Sequence, residues 1–178
     1  MSIEIEAKLK VDSLREIKSR LVELGAEFLE EQFHKDTYFD DTGDTLKNSD
    51  RCLRLRRQRV GQNEKILLTY KGAKEKDNFK KRQEIEIEVQ NGDAVEKLLS
   101  ALGYKRALTI EKTRRTWRLA DCVVALDDLP VLGSFVEIEG PDDKRIADAQ
   151  KNLGLADLPH ILESYALLVE QNLRCRER

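Results

Sequence analysis

Ser2-Ile3-Glu4-Ile5-Glu6-Ala7-Lys8-Leu9-Lys10, at the head of the chain, alternates apolar and charged residues. On a strand, successive side chains point to opposite faces. Glu4, Glu6 and Lys8 therefore share one face, and Ile3, Ile5, Ala7 and Leu9 share the other. Two carboxylates are ligands for a hard cation, and a lysine is a partner for phosphate. The pattern returns along the chain, which makes an anionic, metal-bound substrate the leading expectation.

The same alternation predicts eight strands, near 3–11, 27–40, 51–60, 64–72, 80–90, 104–118, 121–128 and 131–139. Val60-Gly61-Gln62-Asn63 reads as a hairpin turn, and Ala73 to Asn78 as a charged, mobile loop. Four helices carry start signals and apolar stripes. Ser13 with Glu16 makes a capping box ahead of Leu14, Ile17, Leu21 and Leu24, and Gly25 stops the helix. Asp93 with Glu96 repeats the device ahead of Leu98, Leu99 and Leu102. Pro141-Asp142-Asp143 opens a third helix, which ends near Gly154. Ile161, Leu162, Tyr165, Leu168, Val169 and Leu173 line a fourth. A loose repeat links these pieces: Glu4-Ile-Glu, helix, Leu24-Gly25 recurs from Glu84 to Gly103 and from Glu137 to Gly154.

Glutamate and lysine are poor strand formers, so strands this rich in them need a reason. Leu53 and Leu55 oppose Arg54 and Arg56. Ile85, Ile87 and Val89 oppose Arg82, Glu84, Glu86 and Glu88, while Val136 and Ile138 oppose Glu137 and Glu139. Amphipathic helices would cover the apolar strand faces. Patterning leaves two architectures open. An open antiparallel sheet would show its charged face to water. A closed barrel would line its lumen with the charges and carry the helices outside. A dry lumen is excluded, because each uncompensated buried ion costs on the order of several kcal/mol.

Composition narrows the function classes. At 178 residues the chain is expected to be a single domain, 1–178, with 174–178 as a flexible tail. Its 32 basic and 34 acidic residues leave a net charge of −2, which argues against a general nucleic-acid binder. Three scattered cysteines (Cys52, Cys122 and Cys175) and two histidines build no zinc cluster by spacing. No signal-peptide core opens the chain and no apolar run is long enough to span a bilayer. A soluble cytoplasmic protein that engages no membrane is the expectation.

The charged-face candidates are Glu4, Glu6, Lys8, Arg54, Arg56, Lys71, Arg82, Lys112, Arg114, Asp127, Glu137 and Glu139. Arginine forks fit phosphate oxygens in a bidentate way, and lysine acts as a point charge. Several such groups along one line suit a chain of phosphates better than a single one. The ordered string Glu4-x-Glu6-x-Lys8, His34-Lys-Asp-Thr-Tyr-Phe-Asp40, Arg54-x-Arg56, Lys71-Gly72, Ile110-Glu-Lys112-x-Arg114, Leu126-Asp127, Leu132-Gly-Ser-Phe-Val-Glu137-Ile-Glu139 and Ser164-Tyr165 spans nearly the whole chain. It resembles the CYTH superfamily, the triphosphate tunnel metalloenzymes, and most closely the class IV adenylyl cyclase branch.

The resemblance implies an α+β fold, a closed eight-stranded antiparallel β-barrel (the tunnel) with amphipathic helices packed outside. It implies a nucleoside or inorganic triphosphate as substrate and Mg²⁺ or Mn²⁺ as cofactor. Glu4, Glu6, Glu137 and Glu139, with Asp127, would be the metal carboxylates. Lys8, Arg54, Arg56, Lys71, Arg82, Lys112 and Arg114 would hold the phosphates, with Lys71, Lys112 and Arg114 as the catalytic candidates. A homodimer is compatible with that branch. Three activities share these residues: cyclisation of ATP to cAMP and pyrophosphate, hydrolysis of tripolyphosphate or of an organic triphosphate such as thiamine triphosphate, and non-catalytic nucleotide or polyphosphate sensing. No adenine-reading motif is recognisable. His34 reads as a strand residue or a general base, Glu84, Glu86 and Glu88 as balance for the cations, Tyr165 as a packing residue with its hydroxyl at a rim, and Trp117 as core.

Overall fold

The computed structural model describes the backbone of residues 2–74 and 80–176, and the side chains of 5–73 and 82–175. The strands are β1 (Ser2–Val11), β2 (Glu27–Asp40), β3 (Cys52–Val60), β4 (Asn63–Lys74), β5 (Lys80–Glu88), β6 (Lys105–Leu119), β7 (Cys122–Leu129) and β8 (Gly133–Glu139). The helices are α1 (Leu14–Glu23), α2 (Thr45–Asn48), α3 (Gly92–Ala101), α4 (Asp143–Asn152) and α5 (Tyr165–Arg176). All eight strands lie where alternation predicts them, because period-two patterning and a half-buried sheet are the same constraint. Ala73 and Lys74 extend β4; the rest of the expected mobile loop, 75–78, lies outside the described residues.

The eight strands form one antiparallel sheet in the order β1-β5-β4-β3-β2-β6-β7-β8, and β8 pairs back to β1. β1 serves its two neighbours by halves. Ser2–Glu6 pair with β5 and Glu6–Val11 with β8, so Glu6 alone belongs to both ladders. β5 divides in the same way between β1 and β4. The expected closed cylinder is therefore met in strand order and in the return pairing of β8 to β1, while the shape is a strongly curled half-barrel around a trough. The cations along it are nonetheless buried or half-buried, with Lys8, Arg82 and Lys112 no more than 4% exposed, so each needs an ionic or hydrogen-bond partner.

The apolar strand faces point outward under the helices. Ala7, Leu9, Val124, Leu126, Val136 and Ile138 form the largest core with Ile17 and Leu21 of α1 and Ile146 and Ala149 of α4. Leu99 of α3 packs on Phe39 and Leu55. One helix departs from the expected outer layer. α5 sets Tyr165 and Val169 against Ile110, Leu129 and Phe135, residues that share the strand faces of Lys112, Asp127 and Glu137. It packs against the inward face at one end because those inward positions are apolar and need cover.

Caps explain most helix boundaries. Ser13 Oγ accepts from the Glu16 amide at 3.4 Å and Asp142 from the Arg145 amide at 2.8 Å, as their sequence positions suggest. α3 differs: its cap is Asn91, which accepts from Ala94 at 3.0 Å, while Asp93 and Glu96 bind Arg57. α5 starts four residues later than its apolar stripe suggests, since the Ile161 amide is used by the Lys8 carbonyl at 2.8 Å. It also runs through 174–176, part of the expected tail. The three Leu-Gly stops share one geometry. Gly25, Gly103 and Gly154 have φ of +72°, +92° and +74°, and Ala26, Tyr104 and Leu155 donate back to Leu21, Leu99 and Gln150. The three Glu-Ile-Glu segments become neighbours, since β1 lies between β5 and β8.

Candidate functional site

Cross-strand register turns the one-dimensional charge pattern into rows across the trough floor. Asp36 stands opposite Arg56, and Tyr38 opposite Arg54. Arg54 stands opposite Thr69, which faces Glu86; Cys52 stands opposite Lys71, which faces Glu84. His34 faces Lys112, Arg114 faces Asp127, and Lys8 faces Glu137. All of these except His34, Thr69 and Asp127 line a cavity of about 230 Å³, which is walled by Glu6, Lys8, Asp36, Tyr38, Cys52, Arg54, Arg56, Lys71, Arg82, Glu84, Glu86, Lys112, Arg114, Glu137, Ser164 and Tyr165.

The cations are held in place by acids. Arg56 donates from Nε and Nη2 to the two oxygens of Asp36, both at 2.7 Å. Arg54 donates to Thr69 Oγ1 at 3.2 Å and lies 3.8 Å from Asp36 and 3.7 Å from Glu86. Its Nε is buried with no hydrogen-bond partner in the protein. Lys71 Nζ donates to Glu84 at 2.5 Å. Lys8 Nζ donates to the Glu163 carbonyl at 3.0 Å and lies 3.3 Å from Glu137, while Arg114 pairs with Glu137 as well. Arg82 donates to the carbonyls of Gly72 and Asp50, so it also ties β4 to the turn that precedes β3. Tyr165 lies beneath two ammonium groups, with Lys8 4.1 Å and Lys112 4.7 Å from its ring centre.

Burial and this charge network set the protonation states. Burial alone would push the Asp36 carboxyl up, but Arg56 and Arg54 outweigh it and hold the group well below the usual carboxylate range. Burial brings Lys112 down to about 8, helped by Arg114 and opposed by Asp127 and Glu137. His34 is brought down to about 2 by burial and by Arg56, Lys112 and Arg114, so the imidazole is neutral and its Nδ1 is buried with no partner. A general base at neutral pH needs a far higher pKa.

All seven expected phosphate-holding residues line the trough, as do Glu6 and Glu137. The other expected metal ligands are placed differently. Asp127 is wholly buried behind the floor and accepts from Lys112, from Arg114 twice and from Tyr165. Glu139 is exposed and stands opposite Glu6 in the β1–β8 ladder, outside the lining. The Glu4 side chain lies outside the described residues. Besides Glu84 and Glu86, read as charge balance, five lining residues had no ligand role from sequence: Asp36, Tyr38, Cys52, Ser164 and Tyr165. Asp36 and Tyr38 share a period-two face with His34, which was the available signal. Tyr165 had no periodic signal, only its place in the Ser164-Tyr165 pair of the family-like string, because a helix residue reaches the trough only through the docking of α5.

The lining suits a divalent cation in its chemistry. Seven cations face five acids there, a surplus smaller than the roughly four negative charges of a triphosphate chain. Glu6 and Glu137, which line the trough, supply the oxygen donors that a hard cation takes. Among the described residues no three His, Cys, Asp or Glu side chains already form a metal-ready cluster.

The chain matches the CYTH domain family over residues 2–165. A Methanocaldococcus jannaschii protein carrying a provisional adenylate cyclase name is 29% identical over 173 residues, 97% of this chain and 94% of that protein. The Aeromonas hydrophila protein named adenylate cyclase CyaB is 26% identical, over 96% of this chain and 90% of its own. The solved structure of the PH1819 protein from Pyrococcus horikoshii OT3 superposes with a TM-score of 0.81 at 31% identity, covering 94% of this chain and 99% of that one. With the family match covering nearly its whole length, the chain belongs to the CYTH domain family.

Proposed function

We propose that the protein is a metal-dependent adenylyl cyclase, which converts ATP to cAMP and pyrophosphate with the triphosphate lying along the trough. The carrying observation is the convergence of Lys8, Arg54, Arg56, Lys71, Arg82, Lys112 and Arg114 on one cavity that Glu6 and Glu137 also line. Similarity to relatives named adenylate cyclase supports the choice of reaction. The ribose 3′-oxygen forms a bond to the α-phosphorus, its proton passes to solvent water, and the bond from that phosphorus to the bridging oxygen breaks to release pyrophosphate. Lys112 and Arg114 stabilise charge as it moves onto the leaving pyrophosphate, and Lys71 serves from the opposite wall. Arg54, with its unpartnered Nε, and Arg56 hold the phosphate chain in line for attack. Glu6 and Glu137, with Glu139 and Glu4 beside them on β8 and β1, would hold magnesium or manganese, which supplies charge neutralisation of the polyphosphate and acidifies the attacking hydroxyl. Asp127, with its oxygens taken by Lys112, Arg114 and Tyr165, acts in this reading as a positioning residue.

The second reading is hydrolysis of tripolyphosphate or an organic triphosphate, with water as the attacking group. Its support is that the trough lining is charged almost throughout, so nothing beyond a phosphate chain is needed to fill it. The decisive experiment supplies Mg²⁺ or Mn²⁺ with ATP and, in parallel, tripolyphosphate, and assays cAMP, pyrophosphate and orthophosphate. Metal-dependent cAMP that is absent in Glu6→Ala supports the cyclase. Orthophosphate without cAMP establishes the hydrolase instead, and binding without turnover of either substrate leaves a polyphosphate sensor.

A further inference from the structure

The ladder between β5 and β4 runs as far as Glu88, whereas the ladder between β5 and β1 stops at the pair Ser2–Glu84. Ile85–Glu88 therefore have a strand on one side and, among the described residues, none on the other. The next residue fixes the direction of the backbone groups. The Val89 amide donates to the Ile66 carbonyl of β4 at 2.8 Å, and successive residues of a strand turn their amides and carbonyls to opposite sides. Those of Glu86 and Glu88 thus point to the open edge. All four side chains from 85 to 88 are exposed, Ile85 to 45% and Ile87 to 54%. The two isoleucines share the outer face of the sheet. On α3, Asp93 and Glu96 turn to Arg57 of β3, and Glu96 also to Arg106 of β6. Leu98 and the adjoining Leu102 stand on the other flank, nearer β5, and are exposed too. Glu86 and Glu88 share the inner face, where Glu86 lines the trough and Glu88 lies outside its lining.

We propose that this edge receives an extended segment of a partner protein in which lysine or arginine alternates with aliphatic residues. An open strand edge is a template for one more strand, and main-chain hydrogen bonds supply the affinity of such additions. Antiparallel addition exchanges those bonds with Glu86 and Glu88. The residues directly opposite these two share their face, so basic side chains there meet both carboxylates. The aliphatic residues between them fall on the outer face beside Ile85 and Ile87 and remove apolar surface from water. A second copy of this chain is the poorer occupant. Pairing β5 with its own twofold mate keeps like faces together, so Glu86 and Glu88 would stand against the same two acids.

The test titrates two terminally blocked hexapeptides of equal composition, one alternating lysine with valine and one with the lysines grouped. The proteins are the wild type, Glu88→Lys and Glu88→Pro, and amide hydrogen exchange is followed alongside. The wild type is expected to bind the alternating peptide about ten-fold or more tightly than the grouped one, with slowed exchange at the Glu86 and Glu88 amides. Glu88→Lys should weaken the alternating peptide by about five-fold or more. Glu88→Pro removes an edge donor and no bond to β4, and should weaken it as well. A Tm unchanged in Glu88→Lys shows that this variant folds. Equal affinity for the two peptides, or binding that leaves both amides exchanging as before, overturns the proposal. A wild type that sediments as a dimer with those amides already protected also overturns it and assigns the edge to a second copy.

Discussion

Asp127 is charged, wholly buried and accepts four hydrogen bonds, the full capacity of a carboxylate. It organises Lys112, Arg114 and Tyr165 at once. Asp127→Ala should cost about 3–5 kcal/mol in urea unfolding, since it strands two buried cations. The milder Asp127→Asn should lower turnover by about 100-fold through misplacement of Lys112 and Arg114. It should also move the alkaline limb of kcat/KM to lower pH, because Asp127 is one of the groups that oppose the depression of Lys112. That limb belongs near pH 8 in the wild type, where Lys112 loses the charge that binds phosphate; Lys112→Arg should carry activity to higher pH. His34 has the opposite signature. Unfolded, it takes up a proton near pH 6.5, while the folded ring stays neutral down to about 2. The unfolded state therefore binds more protons throughout that window, and stability falls as pH is lowered through it. Urea unfolding at pH 5 should give about 2 kcal/mol less stability than at pH 7, and His34→Gln should flatten the difference.

At the scale of elements, three strand–helix units with the same Glu-Ile-Glu opening and Leu-Gly stop are brought side by side as β5, β1 and β8. Their glycines are required by backbone conformation, since a Cβ at Gly25, Gly103 or Gly154 would meet nothing within 4 Å. Loss of a cap should be local. Asp142→Ala is expected to cost about 1 kcal/mol in chemical denaturation without changing substrate affinity, because α4 packs on the outer face. α3 shows how tertiary contact overrides a local signal. Asp93 and Glu96 are spaced for a capping box, yet both bind Arg57 of β3, and Asn91 two residues earlier takes the cap. The four-residue α2 carries no apolar period at all, and its position depends on Asp40 at the end of β2.

For the molecule as a whole, the trough is a set of repulsions and attractions that a bound polyanion can rebalance. Tripolyphosphate with Mg²⁺ at about 100 times its Kd should add about 2.7 kcal/mol of stability by mass action. In a chain of this length that corresponds to a rise of roughly 5–10 °C in Tm. Differential scanning fluorimetry should show this rise, and equal concentrations of sulfate should not reproduce it, because a single tetrahedral anion cannot span several cations. Among the described residues no helix is long and apolar enough to cross a membrane.

The eight strands and the two faces of each were legible in the sequence alone, from Ser2–Lys10 onward, because side-chain alternation is a local property of an extended chain. The same period placed the seven cations and Glu6 and Glu137 on the charged face, since residues two apart cannot leave it without breaking register. What only the tertiary structure decided is which partner each charge meets. Asp127 and Glu137 share the charged side of their strands, yet one is closed off behind Lys112, Arg114 and Tyr165 while the other reaches the trough. Tyr165 enters the site from a helix and donates to Asp127, 38 positions away, and Lys8 Nζ reaches the Glu163 carbonyl across 155 positions. Contacts at such separations lie beyond any local pattern. Periodicity fixes a direction for each side chain, and packing and charge compensation choose its neighbour.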